Sequence, residues 1–402
     1  MRFLALALVL PMWSLPSWLE SQEPLADSSS TPSLSLLQQL RKDGIEFHPT
    51  FTGNTAWDIA GGQQRTTNGN LEYLIDLNLK IHSEETLKFS GGLFCADFQL
   101  HRGGQPHLDA GSYQDLTFIE ANNITQLSEF WFRQSFGEDL FWFLIGKKDC
   151  STIFDFSTYA MSFQYQSFES IPTIRNLPYY PNPAMGVLAG ASFGTHMNIK
   201  LGILDGSNVL GVQTGSLGIT GKFFDHLLSH ALMIGEVDFI WNEATGLFGQ
   251  IGGGVWKNSS SVPKYSGGVQ KGLNGWYLFG DQTIWQDIST PTPRKIGLFF
   301  QAGYTSPQAS PIKEVFAFGV NALGPFVTRS QDSLGVGVCM SRFSLVPGSG
   351  YTKPTETDIE IYYLYNPYSW WNIQPDIQYI ITPNGSSTPN ALVVLVNTAF
   401  SF

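Results

Sequence analysis

Two neighbouring segments near the C-terminus decide the fold: ETDIEIYYLY at residues 356–365 and WNIQPDIQYII at residues 371–381. In the first segment, Glu356, Asp358 and Glu360 alternate with isoleucine and tyrosine. In the second segment, Asp376 and Gln378 alternate with isoleucine and tyrosine in the same way. Because successive side chains of a β-strand point to opposite faces, each segment predicts a strand with one apolar and one polar face.

The same period-two alternation recurs along most of the chain. It is clear in NLEYLIDLNLKIH at residues 70–82 and weaker in nine further windows. Together these windows predict sixteen or seventeen strands and an all-β fold. Helical periodicity is confined to SLSLLQQLRKD at residues 33–43, where leucines share one face and Gly44 ends the segment. The weaker windows are Ile45–Trp57, Leu87–Leu100, Gln126–Phe136, Thr195–Leu204, Glu236–Trp241, Leu247–Lys257, Trp276–Gln282, Leu298–Tyr304 and Leu334–Phe343.

The composition excludes several protein classes. Of the 402 residues, 43% are hydrophobic but only 14% are charged, against roughly 25% in typical soluble domains. No apolar run reaches the length of about 18 residues that a membrane-spanning helix needs, so a helical membrane protein is excluded. The net charge of −11, without any basic cluster, leaves no electrostatic footprint for nucleic-acid binding.

Two architectures keep the apolar face of each strand out of contact with water. A secreted β-sandwich, for example a lectin, packs these faces between two sheets, whereas a transmembrane barrel turns them toward lipid. The predicted strands are about 10 to 13 residues long, as a tilted crossing of the bilayer requires, and tryptophan and tyrosine gather at strand ends. The sequence therefore predicts a transmembrane antiparallel β-barrel of about sixteen strands, in the outer membrane of a Gram-negative-type bacterium.

The two ends of the chain add detail to this prediction. The first residues have the composition of a secretory signal peptide, which we place at residues 1–21. Residues 22–43 are predicted to be a linker and a short periplasmic helix, and residues 44–402 the barrel. The last strand closes on Phe402, which resembles the assembly signal of outer-membrane barrels and predicts the barrel-assembly machinery as a partner. Counting back from a periplasmic C-terminus makes residues 366–370 an inner turn and residues 382–389 an outer loop.

The cysteines do not suggest a disulfide framework or a zinc site. Cys95, Cys150 and Cys339 are far apart, odd in number and lack any CxxC spacing. At most one bridge can form among them.

Several motifs together resemble one known family, the carbohydrate-selective (OprB-like) porins. The most specific lie in the two segments around Glu360 and Asp376, followed by Ile381-Thr-Pro383 and the terminal Phe402. The resemblance covers nearly the whole chain after the predicted signal peptide. It also includes Leu40–Ile45, Gly61-Gly62, Gly69–Leu71 leading to Asp76, Glu129-Phe-Trp131, Gly146-Lys-Lys-Asp149, and Arg329 before Asp332.

The resemblance implies an outer-membrane porin that lets small sugars and other small polar solutes diffuse passively, with no cofactor and no metal. Arg133 and Arg329 are the preferred sugar-contacting cations, because guanidinium groups can reach vicinal hydroxyls, with Glu129 and Trp131 beside them. The full set of predicted lumen or constriction residues is Glu129, Trp131, Arg133, Lys147, Asp149, Arg329, Glu360 and Asp376. For each of them, a solvated position on the lumen wall is the alternative. The same alternative applies to the other polar residues predicted on the inner faces of strands, namely Glu72, Asp76, Lys80, Glu236, Asp238 and Gln378.

Residues 149–183 lack alternation and are rich in aromatic residues, which predicts a loop that folds into the lumen. Its aromatic side chains either stack on sugar rings or pack against the barrel wall. The aromatic residues concerned are Phe154, Phe156, Tyr159, Phe163, Tyr165, Phe168, Tyr179 and Tyr180.

Other functions fit the sequence less well. Gly190-Ala-Ser192-Phe-Gly194 matches the GxSxG pattern of esterases, but a strand is predicted after the serine where a nucleophile elbow needs a helix. An outer-membrane barrel enzyme and a less selective ion porin remain the alternatives. The acidic balance of the polar strand faces predicts neutral or cationic solutes rather than anions. Lipid is the expected surroundings of the barrel, and the sequence leaves the oligomeric state open.

Overall fold

The computed structural model describes residues 36–65, 68–137, 139–219, 229–242, 247–289 and 293–402. Sixteen strands in these residues form one closed antiparallel barrel, in which each strand pairs with its sequence neighbours and β1 pairs with β16. The strands are β1 Ile45–Ala60, β2 Asn70–His82, β3 Gly92–Gly103, β4 Ile124–Phe136, β5 Phe141–Lys148, β6 Ala184–Phe193, β7 Met197–Asp205, β8 Ala231–Trp241, β9 Gly249–Pro263, β10 Val269–Asp287, β11 Arg294–Thr305, β12 Ile312–Leu323, β13 Ser333–Phe343, β14 Thr355–Tyr368, β15 Trp371–Ile381 and β16 Ala391–Ser401.

The two faces of the strands have opposite polarity, and the apolar face is outside. In β14 and β15, Ile361 and Ile377 are 46% and 47% exposed, whereas Glu360 and Asp376 are fully buried inside. A soluble protein would show the reverse arrangement, because water favours the carboxylates over the isoleucines. An apolar outer band around a polar interior is the pattern of a membrane barrel. The alternation predicted from the sequence is confirmed, and the β-sandwich alternative is wrong.

The connections at the two ends of the barrel differ in length. The turn between β14 and β15 consists of residues 369 and 370, which is shorter than the predicted 366–370 because β14 continues to Tyr368, and the other turns at this end are also short. At the opposite end, residues 104–123 and 149–183 form long connections, which we call the outer loop and the inward loop. Short periplasmic turns and longer extracellular loops are typical of outer-membrane barrels. The long connections therefore mark the outer mouth.

Aromatic residues gather at the inner end near the β14–β15 turn. The rings of Tyr368 and Trp370 stack at 5.3 Å, and those of Trp371 and Phe400 stack at 6.1 Å. Such a cluster suits the membrane–water interface, where amphipathic rings form a girdle.

The helices of the described residues are short: α1 Leu36–Lys42, α2 Ser83–Leu87, α3 Pro106–Ala110 and α4 Gln166–Glu169. Helix α1 lies within the predicted helical segment, whereas the signal peptide and most of the linker lie outside the described residues. The strand window predicted from Leu87 starts too early, because Leu87 ends α2 and β3 begins at Gly92. No helix in the described ranges combines the length and apolarity needed to cross a membrane. The three cysteines are buried and unpaired.

Candidate functional site: the barrel interior

Carboxylates of the inner wall hold the inward loop in place. Asp281 of β10 accepts hydrogen bonds from the Ser157 hydroxyl at 2.8 Å and from the Thr158 amide at 2.9 Å. Glu360 of β14 accepts hydrogen bonds from the Gln164 amide at 2.6 Å and from the next amide at 2.9 Å. A carboxylate that accepts two or more amide hydrogen bonds forms a strong, charge-assisted contact. The loop is therefore fastened across the barrel interior, from β10 to β14.

Aromatic side chains of the inward loop fill sockets in the same wall. The Phe163 ring lies 4.7 Å from the Phe168 ring and 4.9 Å from the Tyr362 ring of β14. A Cβ atom on Gly337 of β13 would lie 2.7 Å from Phe163, so the socket exists because this position has no side chain. The rings thus pack as in a protein core. The packing alternative is confirmed and sugar stacking is wrong for the rings that are at most 2% exposed, namely Phe154, Tyr159, Phe163, Tyr165 and Phe168.

Several wall residues that the sequence predicted to be solvated are buried under the two loops. Glu236 accepts a hydrogen bond from the Asp155 amide at 2.7 Å, and Lys200 bridges Glu236 (2.7 Å) and Asp238 (2.6 Å). The solvated alternative is therefore wrong for these positions, because loop residues and neighbouring wall residues cover them. The buried positions are Glu72, Glu236, Asp238, Glu360, Asp376 and Gln378.

A cluster around Glu129 lies where the inward loop begins. The Lys148 ammonium lies 2.6 Å from one Glu129 oxygen, and the Trp131 indole N–H donates to the other at 2.7 Å. Lys148 also lies over the Trp131 ring at 5.5 Å, a cation–π contact. The Asp149 amide donates to Glu129 at 3.0 Å. One carboxylate therefore joins β4, β5 and the first residue of the inward loop.

The lysine in this cluster is Lys148, whereas the sequence motif predicted Lys147 as the lumen residue. Lys147 pairs with Phe130 in the β4–β5 register, so it is out of phase with Trp131, which pairs with Gly146. Its ammonium is buried and donates to the backbone carbonyls of Leu127, at 2.7 Å, and Gly215. Lys147 is thus held by the structure of the outer mouth and does not face Glu129.

Arg133 lies one step further toward the inner end of β4. Its guanidinium forms an ion pair with Asp139 at 2.8 Å and lies 5.2 Å from the centre of the Trp142 ring. Both partners lie on or next to β5, and Arg133 remains partly exposed. The Arg133 side chain is 11% exposed, so one edge of its guanidinium can face a solute.

Asp149 fastens the two ends of the inward loop together. One oxygen accepts hydrogen bonds from the Ser151 amide (3.0 Å) and hydroxyl (2.8 Å), and the other accepts one from the Tyr180 amide at 2.7 Å. Burial, followed by the nearby charge of Glu129, raises the pKa of Asp149 above its ordinary value. Burial and the charge of Asp149 raise the pKa of Glu169 in the same loop to about 8. Asp149 therefore holds the first and the last part of the inward loop together at the base of the loop.

The space that the inward loop leaves open runs along β1 to β5. Inward-facing side chains on β8 to β15 are mostly covered, whereas a group of those on β1 to β5 remains partly exposed. The charged side chains among them on β1 to β5 are three carboxylates and three cations, so their net charge is zero. These side chains, with their uncharged neighbours, are Glu46, His48, Thr50, Asp76, Asn78, Lys80, Gln99, Glu129, Arg133 and Lys148.

Comparison with known proteins identifies the family. A family model described as "Carbohydrate-selective porin, OprB family" matches residues 87–402. The chain belongs to the OprB family of porins. The high-pH structure of Pseudomonas putida OprB is similar, with a TM-score of 0.80 and 17% identity over 90% of this chain and 96% of that one. The low-pH structure has a TM-score of 0.59 and 15% identity over 90% and 94%. No curated protein matches. This OprB-family chain is an outer-membrane carbohydrate porin.

Three other predicted residues of this porin lie away from the open passage. Arg329 lies in the turn between β12 and β13, where it pairs with Asp332 at 2.8 Å and covers the Tyr365 ring at 4.1 Å. Glu360 and Asp376 are buried beneath the inward loop. The prediction that Glu360 and Asp376 face the solute is therefore wrong, because the loop covers them, whereas a solute contact for Arg329 stays a prediction.

The esterase-like motif does not form a nucleophile elbow in this porin. Ser192 lies within β6, and the next element is β7, which begins at Met197. The tight strand-to-helix turn that such a serine needs is therefore missing from this part of the chain.

Sequence reasoning missed Lys148, Asp281 and Gly337. Lys148 could have been found by counting alternation from Trp142, since every second residue of β5 faces inward. Asp281 and Gly337 face inward by the same count, but nothing in their own strands indicates that the inward loop contacts them.

Proposed function

We propose that the porin passes small neutral sugars by passive diffusion along the face formed by β1 to β5. The observation that carries this proposal is the balanced charge of the partly exposed inward side chains, three carboxylates against three cations. A passage without net charge neither concentrates nor repels ions strongly, while its hydroxyl, amide and charged groups can bind sugar hydroxyls weakly. Several carboxylates that make the polar strand faces acidic, such as Glu236, Asp281 and Glu360, are buried under the inward loop, which limits the earlier expectation of neutral or cationic solutes to neutral ones.

Within this passage we propose that the Glu129, Trp131 and Lys148 cluster and Arg133 contact the solute. Glu129 and Lys148 have side chains that are each 12% exposed, so each presents one edge to the lumen while the other remains paired. Arg133 follows them toward the inner end of the barrel. Successive weak sites of this kind let a solute bind and leave again, as conduction requires. No step of this mechanism needs a chemical reaction or a cofactor, so we propose that the porin is not an enzyme.

Liposome swelling tests the proposed function. Full-length refolded porin in liposomes should admit glucose and other neutral monosaccharides at least about threefold faster than gluconate of the same carbon number, because an anion loses part of its hydration in the narrowed lumen and the passage has no net positive charge to compensate for that loss. Entry should fall steeply for trisaccharides, since the inward loop narrows the lumen. Equal rates for neutral and anionic solutes would instead indicate a less selective ion porin, and protein-free liposomes are the control.

We further propose three partners beyond the solute. Lipid surrounds the apolar outer band that includes Ile361 and Ile377. The barrel-assembly machinery reads the C-terminal strand, where Phe402 is 68% exposed and its amide donates to the Pro49 carbonyl at 3.1 Å. Further copies of the barrel are the third proposed partner, in contact with the same apolar outer band.

A further inference from the structure

Three ligating side chains converge in the outer loop, away from the proposed passage residues. The Nδ1 atom of His107 lies 2.5 Å from a Glu120 oxygen and 3.4 Å from an Asp115 oxygen. One ligand atom from each residue lies within 4.8 Å of those of the other two. Ligand atoms around a small divalent cation, each about 2.1 Å from the metal, have separations of this order. The triad therefore needs only a small expansion to enclose an ion.

The charge of the triad is not compensated by the protein. Asp115 and Glu120 form no ion pair with a lysine or arginine among the residues that the structure describes. Behind them lies the fully buried Glu72, and the nearest ring nitrogen of His101 is 3.6 Å from its second oxygen, beyond hydrogen-bond distance. Carboxylates removed from water need a counter-charge, and among the described residues the only ion-pair partners of these three carboxylates are two imidazoles. A bound cation would supply the missing positive charge.

The triad is also preorganised and accessible. The Leu116 amide donates to one Glu120 oxygen at 3.0 Å and the His107 amide donates to the other at 3.1 Å, which fixes the carboxylate. His107 and Asp115 have side chains that are 20% and 25% exposed. Asp115 and Glu120 line a cavity of about 380 Å³, which has room for an ion and its water ligands. An ion can therefore reach the triad from solvent.

We propose that His107, Asp115 and Glu120 form a site for a divalent transition-metal ion of the Zn²⁺ type. One imidazole nitrogen with two carboxylates suits Zn²⁺ or Mn²⁺, whereas Ca²⁺ and Mg²⁺ prefer oxygen ligands alone. The Asp115 carbonyl accepts a hydrogen bond from the Gln166 amide of the inward loop at 3.1 Å. A bound ion would thus order the outer loop at the position where it contacts the inward loop. This site is independent of the proposed sugar passage.

Calorimetric titration of the full-length, EDTA-treated porin in detergent tests this site with Zn²⁺ itself. One Zn²⁺ per chain should bind, and binding should raise the unfolding temperature. His107→Gln and Asp115→Asn should each weaken binding at least about tenfold, because each removes one ligand of three. Two variants are matched controls: His196→Gln in the inner turn, and His48→Gln, which removes a histidine paired with Glu46 at 3.2 Å at the inner end. Both should keep Zn²⁺ binding unchanged.

Each other outcome overturns the proposal. Absence of Zn²⁺ binding would show that the triad does not hold the ion. The same conclusion would follow if His107→Gln and Asp115→Asn bound Zn²⁺ as tightly as the unmodified porin. Loss of binding in His48→Gln alone would place the ion at Glu46. Ca²⁺ binding more tightly than Zn²⁺ would contradict the assigned class of ion. Heat-modifiable migration on gels shows which variants are folded, and Glu120→Gln, whose amide oxygen can still accept one of the two amide hydrogen bonds, replaces any ligand variant that does not fold.

Discussion

Release of the inward loop should widen the pore. In the double variant Asp281→Ala and Glu360→Ala, the amides of Thr158 and Gln164 lose their acceptors on the inner wall. Each unpaired amide costs about 1–3 kcal/mol while the loop stays docked, so the loop should leave the wall. Because the lumen of a sixteen-stranded barrel is wide enough for an aqueous channel, single-channel conductance should rise at least about twofold.

The control for this variant is Glu314→Ala on β12. Glu314 pairs with Arg342 at 2.6 Å and makes no hydrogen bond to the inward loop in the part of the chain that the structure describes. Conductance of the control should match that of the unmodified porin. An unchanged conductance in the double variant, with the barrel folded, would mean that other contacts hold the loop or that it does not narrow the passage.

Breaking the Glu129–Lys148 ion pair should shift ion selectivity in opposite directions, depending on which partner is removed. Glu129→Gln leaves the passage with one extra positive charge, and Lys148→Met leaves it with one extra negative charge. Reversal potentials under a salt gradient should therefore move toward anion selectivity in the first variant and toward cation selectivity in the second. We expect permeability ratios to change about threefold at low salt and less at high salt, because mobile ions screen the charge.

The double variant Glu129→Gln and Lys148→Met is the matched control, since it restores the charge balance. Its reversal potential should return to that of the unmodified porin. Shifts of the same sign in both single variants, or no shift in either, would show that this cluster does not face the conduction pathway.

The sequence predicted the barrel because alternation is a local property. In β14 and β15, each side chain faces lipid or lumen according to its position in the strand, so Ile361 and Glu360 could be assigned without knowing any partner. The inward loop was recognised because alternation stops after Lys148. The strand count and the closing C-terminal strand followed from the same pattern.

The solvation of the lumen residues could not be predicted from local sequence. Glu360 is buried because its oxygens meet amides of Gln164 and Tyr165, almost 200 positions earlier in the chain. Arg329 belongs to a turn whose acidic partner, Asp332, is three residues away, so its ion pair could have been expected. Long-range contacts of a loop with distant strands depend on the closed barrel, which brings them together only after folding.

In the proposed function, solutes pass along β1 to β5 while the inward loop fills the rest of the lumen. Thr50→Cys on β1 tests it directly, since Thr50 faces inward and is partly exposed. A bulky methanethiosulfonate reagent should label this cysteine and abolish most of the glucose-driven liposome swelling. It should leave the unmodified porin, whose three cysteines are buried, and Ser341→Cys, which is buried on β13, fully active. Complete labelling of Thr50→Cys without any loss of glucose entry would contradict the claim.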